Sequence, residues 1–332
     1  MLDRRRRMAV LVTGGAGYIG SHTTYALLDR GDAVIVLDNL ATGTRAQIGE
    51  KARFIEGDVG DDALVRRIIK AHGIDAVIHF AGSIVVPDSV AEPLRYYRNN
   101  VVASRALIEA CVESGVKQFI FSSTAAVYAS DAQRPLRESE RMSPISPYAR
   151  YKLMTEWMLA DTASVHDFRP IVLRYFNVAG ADPMGRTGQS SPNSTHLIKR
   201  AAQAALGRIS HLDIFGTDYP TPDGTGVRDY IHVSDLADAH LLALDALRAG
   251  AAPTSYNCGY GRGASVREVI ASVEGVIGRP LPVQERARRP GDPPMLVSDP
   301  TKLKSELNWR PKHDQLDEII RSALAWECRF NA

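Results

Sequence analysis

The 332-residue sequence predicts an α/β fold, a doubly wound parallel sheet followed by a smaller C-terminal α/β lobe. Three observations predict it. Short apolar runs of strand length alternate with helical stretches through the first half. A glycine-rich turn joins the first run to the first helix. Beyond Asn177 the texture changes to segments rich in Gly, Pro, Ser, Asn and Thr, which read as loops.

Residues 9–13 are apolar and short, which suits a buried parallel strand. Residues 18–30 carry Ile19, Tyr25, Ala26, Leu27 and Leu28 at helical spacing and stop at Gly31. Strands follow at 33–37, 53–55, 76–80 and 119–121, with helices at about 61–72 and 94–114 between them. A helix beginning at Pro147 has Ser146 as its cap, proline at its first position, and Leu153, Trp157 and Leu159 as apolar surface. Residues 171–175 give a further strand. In the second half, helices are expected at about 196–207, 234–249 and within 262–277, with a short segment around 212–215. The domain reading is 8–178 for the sheet domain, to which the helix at 234–250 returns, and 179–332 for the second lobe.

Composition narrows the function. Hydrophobic residues make up 45% and charged residues 23%, an ordinary balance for a soluble globular protein. Forty Lys and Arg against 38 Asp and Glu leave a formal charge of +2, which gives no reason to expect nucleic acid. Cys111, Cys258 and Cys328 lack paired spacing, so a disulfide framework is not expected and a reducing cytoplasm fits. No apolar run is long enough to span a membrane. Arg4 to Arg7 are not followed by a secretory apolar stretch; residues 1–7 are expected to be a disordered basic leader, with Met8 a second candidate start.

The motif Gly14-Gly15-Ala16-Gly17-Tyr18-Ile19-Gly20 lies between a predicted strand and a predicted helix. That context is what gives a glycine pattern meaning: glycine allows the tight turn and close approach of backbone to a pyrophosphate, and the helix N-terminus faces the anion. Asp38, with Asn39 beside it, ends the second strand. An acid there binds both ribose hydroxyls and repels a 2′-phosphate, so NAD is expected rather than NADP.

Tyr148 and Lys152 are one helical turn apart, on one face. A lysine ammonium beside a tyrosine is expected to stabilise its phenolate. Free Tyr titrates near ~10, so a depression of roughly three units needs about 4 kcal/mol. A tyrosine so tuned is a general base for a sugar hydroxyl. A solvated helix lysine is the usual fate of Lys, but the glycine loop and Tyr148 accompany this one. His232 and Asp235 open a helix and lack further metal ligands, so capping is expected of them and no metal site is assigned.

These residues, with Ser123-Thr124 and Arg174-Tyr-Phe-Asn177, resemble the extended short-chain dehydrogenase/reductases, whose fold is of the Rossmann kind. His79-Phe-Ala-Gly82, Tyr97 to Val101, Phe121 to Ala125, and Phe215 through His232 are similar to the UDP-glucose 4-epimerase family within them, over residues 9 to 312. The resemblance implies reversible C4 epimerisation of UDP-sugars through a 4-ketopyranose with retained NAD. It implies Tyr148 as base, Thr124 as the hydroxyl that relays the proton, and Lys152 also on the nicotinamide ribose. It places Asp58 and Val59 at the adenine, Phe80, Ala81 and Asn99 along the cofactor cleft, and Tyr175 by the nicotinamide. For the UDP-sugar it implies Asn177, Arg228 and Arg289 at the diphosphate, His196 where relatives carry Asn, Phe215 near uracil, Asp292 at a ribose hydroxyl and Leu296 as sugar-pocket gatekeeper. Ile84 stands where some relatives have a lysine. A homodimer joined through helices at about 94–114 and 150–163 is implied as well. A 4,6-dehydratase would need acidic residues directly after Thr124, where this chain has Ala125 and Ala126. Epimerases of UDP-N-acetylglucosamine, UDP-pentoses or UDP-glucuronate are separated poorly by sequence. A non-catalytic NAD-binding regulator is disfavoured because both Tyr148 and Lys152 are present.

Overall fold

A computed structural model describes residues 8–128, 134–191, 194–289 and 291–330. The leader expected over residues 1–7 lies outside them. The first half builds strands β1 (Ala9–Thr13), β2 (Ala33–Asp38), β3 (Arg53–Glu56), β4 (Ile74–His79), β5 (Gln118–Thr124) and β6 (Arg169–Tyr175). Between them lie helices α1 (Tyr18–Arg30), α2 (Asp62–His72), α3 (Val86–Ala91), α4 (Pro93–Tyr96), α5 (Ala103–Glu113) and α6 (Pro147–Val165). The second half contributes β7 (Asn177–Ala179), α7 (Leu197–Ala205), β8 (Leu212–Phe215), β9 (Val227–His232), α8 (Val233–Arg248) and β10 (Thr254–Cys258). It ends with β11 (Gly263–Ser265), α9 (Val266–Ile277), β12 (Val283–Arg286), β13 (Met295–Leu296), α10 (Thr301–Glu306) and α11 (Leu316–Phe330).

Two compact units result. The first comprises residues up to Thr124, Ser146–Leu173 and Ala237–Ser255; the second comprises Ala125–Ile145, Arg174–Leu236 and residues from Tyr256 onward. The main sheet runs β10-β6-β5-β4-β1-β2-β3. β1 pairs in parallel with both β2 and β4, so the winding direction reverses between β1 and β4. In open α/β sheets that switch point, at the strands' C-terminal ends, is where ligands bind. One face of the sheet is closed by Leu11, Leu37, Val77, Phe119 and Phe121 against Val65 and Ile68 of α2, Leu107 of α5 and Leu159 of α6. At about 25 cal/mol per Å² of apolar surface, each such side chain contributes roughly 1.5–3 kcal/mol. The part of α8 in this unit is tied to the strand starts by Arg248, which donates to Asp75 at 2.9 Å and Asp32 at 3.0 Å.

Three local expectations change. The buried side of α1 is largely polar, with Ser21, His22, Thr23 and Thr24 beside Tyr18 and Leu27, while Tyr25, Ala26 and Leu28 are only half-buried. Trp157 is not core surface for α6; it is 54% exposed, while Leu153 and Leu159 are buried. The helix expected at 94–114 is α4, a π-helical turn over Tyr97–Val102 and then α5, preceded by α3, which has no signal in the periodicity. Ser146 caps α6 as expected, accepting from the Ala149 amide at 3.2 Å.

In the second unit, β9 is central: β11 pairs with it antiparallel, and β13 and β7 pair with it in parallel. Asp229 on β9 organises this end. Its buried carboxylate accepts from the amides of Tyr260 (2.8 Å), Gly261 (2.9 Å) and Ser298 (3.1 Å), and from Ser298 Oγ (2.6 Å). Four donors offset part of the desolvation of a carboxylate taken out of water, and burial still holds it above the usual carboxylate range. Asp235 likewise receives the Tyr260 hydroxyl (2.6 Å) and the amides of Lys312 (2.8 Å) and His313 (2.9 Å). It therefore anchors an incoming loop.

Candidate functional site

The first unit assembles a dinucleotide cradle at the switch point. Gly14 has φ +71, and a Cβ there would lie 2.6 Å from the Ala81 nitrogen, so the end of β1 meets the turn after β4 as backbone against backbone. Gly20 is equally constrained, since a Cβ on it would sit 2.3 Å from the Gly14 carbonyl oxygen. This draws the first turn of α1 down onto the loop. Gly17 is the N-cap of α1 and offers no side chain, which leaves the early amides directed at an anion.

Asp38 is buried at the end of β2. One of its oxygens accepts from the Ala16 amide (2.9 Å) and the other from the Leu40 amide (2.8 Å). The carboxylate is thus fixed beside the glycine loop with lone pairs remaining for two hydroxyls. Asn39 is exposed and donates to Asp58 at 3.2 Å; Val59 is buried next to Asp58. Phe80 and Ala81 are partly exposed after β4. Asn100 pins the adjoining turn, accepting from the Ser83 amide (2.7 Å) and donating to the Ser83 carbonyl (2.8 Å), while Asn99 donates to Ser83 Oγ (2.7 Å).

The end of β5 and the start of α6 form the reactive corner. The Tyr148 hydroxyl bonds the Thr124 side chain. Lys152 is buried; its Nζ donates to the Ser122 carbonyl at 2.7 Å and stands 4.9 Å from the centroid of the Phe121 ring. The expected depression of Tyr148 is not what this arrangement produces. Burial pushes Tyr148 up to about 12, and the Thr124 hydrogen bond only partly opposes it. Burial also pulls Lys152 down to about 8, against the field of Glu156. The reason is that removal from water disfavours both charged forms, and the ammonium is engaged by a carbonyl. Beneath this corner His79 is buried between Thr13 Oγ1 (2.7 Å) and Ser104 Oγ (2.8 Å), and burial lowers it to about 3, so it stays neutral.

The residues implied for the UDP-sugar, and Tyr175, belong to the second unit. Arg228 is largely buried on β9 and pairs with Asp292 at 2.5 Å. The Arg289 guanidinium lies 3.8 Å above the Phe215 ring centroid. Tyr175 is buried at the end of β6, Asn177 opens β7 and is partly exposed, and Leu296 is partly exposed on β13 beside Arg228's strand. His196 is the N-cap residue of α7, with its ring bonded to the Val178 carbonyl. Among the described residues, no group of His, Cys, Asp and Glu has metal-holding geometry. Sequence reasoning missed Glu156, Ser122 and Asn100; the first is visible only as an acid one turn beyond Lys152.

A parallel sheet with a glycine cradle at its switch point, an acid at the end of β2 and a Tyr–Lys–Thr corner define a dinucleotide-dependent enzyme of hydride chemistry. The model of the NAD dependent epimerase/dehydratase family matches residues 10–259, and the chain belongs to that family. It is 57% identical over 318 residues to a UDP-glucose 4-epimerase of Azospirillum brasilense, covering 96% of this chain and 91% of that one. Among solved structures, UDP-glucose 4-epimerase from Brucella ovis in complex with NAD is similar at a TM-score of 0.93 and 45% identity, covering 96% and 98% of the two chains. The enzyme of the same name from Bifidobacterium longum, in complex with NAD+ and UDP, is similar at 0.91 and 37% identity, covering 97% and 98%.

Proposed function

We propose that this protein is an NAD-dependent isomerase that reversibly interconverts UDP-glucose and UDP-galactose at C4 through a 4-ketopyranose. The observation that carries the reading is the Tyr148–Thr124–Lys152 corner in the unit that holds the glycine cradle. Gly14, Gly17, Tyr18, Ile19, Gly20, Asp38, Asn39, Asp58, Val59, Phe80, Ala81, Asn99, Lys152 and Tyr175 would hold the cofactor. The cradle fits a pyrophosphate because Gly14 and Gly20 leave no room for a Cβ. When bound, NAD supplies the acceptor and donor for the C4 hydride and, oxidised, a positive charge that favours the phenolate of Tyr148. Tyr148 takes the proton of the 4-hydroxyl and returns it to the same oxygen when the ketone is reduced on either face. Thr124 holds the same oxygen and passes the proton. Lys152 keeps positive charge near the phenolate. In the second unit, Asn177, His196, Arg228 and Arg289 would bind the diphosphate and its surroundings, with Phe215 on the base and Asp292 on a ribose hydroxyl.

The defining experiment is proton NMR of the sugar anomeric signals on UDP-galactose with purified protein and no added NAD. Approach to a stable UDP-glucose/UDP-galactose mixture without net NADH is expected. No conversion even with added NAD would overturn the reading. Leu296 is intermediate in size for a sugar-pocket wall. Weak turnover of UDP-N-acetylglucosamine is therefore expected, and Leu296→Tyr should abolish it while UDP-galactose turnover changes by less than about threefold, a contact of under roughly 1 kcal/mol. Equal acetyl-sugar turnover by both proteins would refute that role.

A cytoplasmic homodimer is part of the same proposal. Leu94, Val102 and Trp157 are large exposed apolar residues on or beside the helices expected to pair. No described helix is long and apolar enough to cross a membrane.

A further inference from the structure

Three side chains of α6 at four-residue spacing engage the last three residues of β5. The Tyr148 hydroxyl meets Thr124, Lys152 Nζ donates to the Ser122 carbonyl, and Ser123 Oγ donates to Glu156 Oε1 at 2.5 Å. Positions i, i+4 and i+8 share one helix face, so the catalytic pair continues into a third member. Glu156 is buried at 7% exposure and Ser123 at 2%. The hydride chemistry itself uses neither. A carboxylate withdrawn from water in this way requires polar partners of its own, and the partner here is the residue between the lysine's anchor and the proton relay.

We propose that Glu156 is a positioning residue of the reaction, fixing the end of β5, and with it Thr124, against α6 while holding Lys152 in its ammonium form. Five groups surround that lysine. Tyr148 and Glu156 share its helix. Phe121 and the Ser122 carbonyl face it from β5. His79 on β4 is held neutral by burial, and Tyr96 of α4 acts on Tyr148. The charge that opposes the burial of Lys152 is that of Glu156. Lys152 is charged below about pH 8 and neutral above it, so removing the Glu156 charge moves that boundary to lower pH.

The inference rests on the proposed epimerase activity, and its test separates the two. UDP-galactose turnover by the intact NAD-loaded enzyme is measured at pH 7 and pH 9 for the parent, Glu156→Gln, Glu156→Asp and Ser123→Ala. If the boundary falls by about one unit, the ratio of kcat at pH 9 to that at pH 7 drops about fivefold in Glu156→Gln. Glu156→Asp, which keeps the charge, is expected to keep the parent ratio. Ser123→Ala is expected to lower kcat at pH 7 by about three- to tenfold at unchanged KM, the worth of one hydrogen bond. A parent without turnover overturns the function itself. An active parent whose ratio Glu156→Gln shares overturns this inference alone. Should Glu156→Gln fail to fold, an unchanged kcat in Ser123→Ala overturns the positioning role.

Discussion

Tyr148→Phe is expected to lower kcat for UDP-galactose epimerisation about a thousandfold, the usual worth of a positioned general base. KM should change little, because the substitution removes one hydroxyl from a group whose work is done in the transition state. The bound NAD should be unaffected, since the cradle of Gly14, Gly17, Gly20 and Asp38 lies on other elements. Stability should fall only by the Tyr148–Thr124 hydrogen bond, about 1 kcal/mol, or an unfolding midpoint lower by about 2–4 °C. Three measurements on one preparation check this: progress curves by anomeric proton NMR, NAD released on denaturation, and thermal unfolding. A loss smaller than about tenfold would mean that another group takes the proton and would remove Tyr148 from its role. Loss of NAD alongside activity would mean that the phenol holds the cofactor rather than the proton.

Much of this corner is legible in the sequence, and the rest is not for identifiable reasons. Tyr148 and Lys152 are found by helical spacing, and the glycine loop by its position between strand and helix. Those signals are local. The charge state of Tyr148 is not local. The sequence suggests a depressed phenol, but the structure shows burial raising it to about 12, while Lys152 turns to the Ser122 carbonyl. Desolvation depends on what packs around a side chain, which spacing does not reveal. Glu156 is similar, because its role appears only once Ser123 is placed against it across 33 residues of sequence. The assignment of 125–145 to the second unit is also invisible in the sequence. It follows from pairings such as the Leu136 amide with the Val297 carbonyl at 2.8 Å and the Asn257 side chain with the Leu136 carbonyl at 2.8 Å. The strands of the sheet are the opposite case, since each apolar run from 9–13 to 171–175 falls within a strand or overlaps one closely.

Gly14→Ala is expected to damage both fold and cofactor binding, and a second glycine separates the causes. At φ +71 an L-residue costs about 1–2 kcal/mol. The new Cβ would also stand 2.6 Å from the Ala81 nitrogen and 2.8 Å from its Cα, and backbone cannot rotate away as a side chain can. Overpacking of this kind adds roughly 1–3 kcal/mol. The total of about 2–5 kcal/mol corresponds to an unfolding midpoint lower by about 5–15 °C. Relief must come from moving the ends of β1 and β4 apart at the switch point, where the pyrophosphate is expected to rest. Retained NAD should therefore fall at least about tenfold, which is roughly 1.4 kcal/mol of binding. Gly31 also has positive φ, +91, but a Cβ there meets nothing within 4 Å. Gly31→Ala should accordingly cost only the backbone term and leave NAD in place. If the two variants lose equal stability and both keep NAD, the close approach of β1 to the Ala81 turn has no role in cofactor binding, and the cradle must be sought elsewhere on the sheet edge.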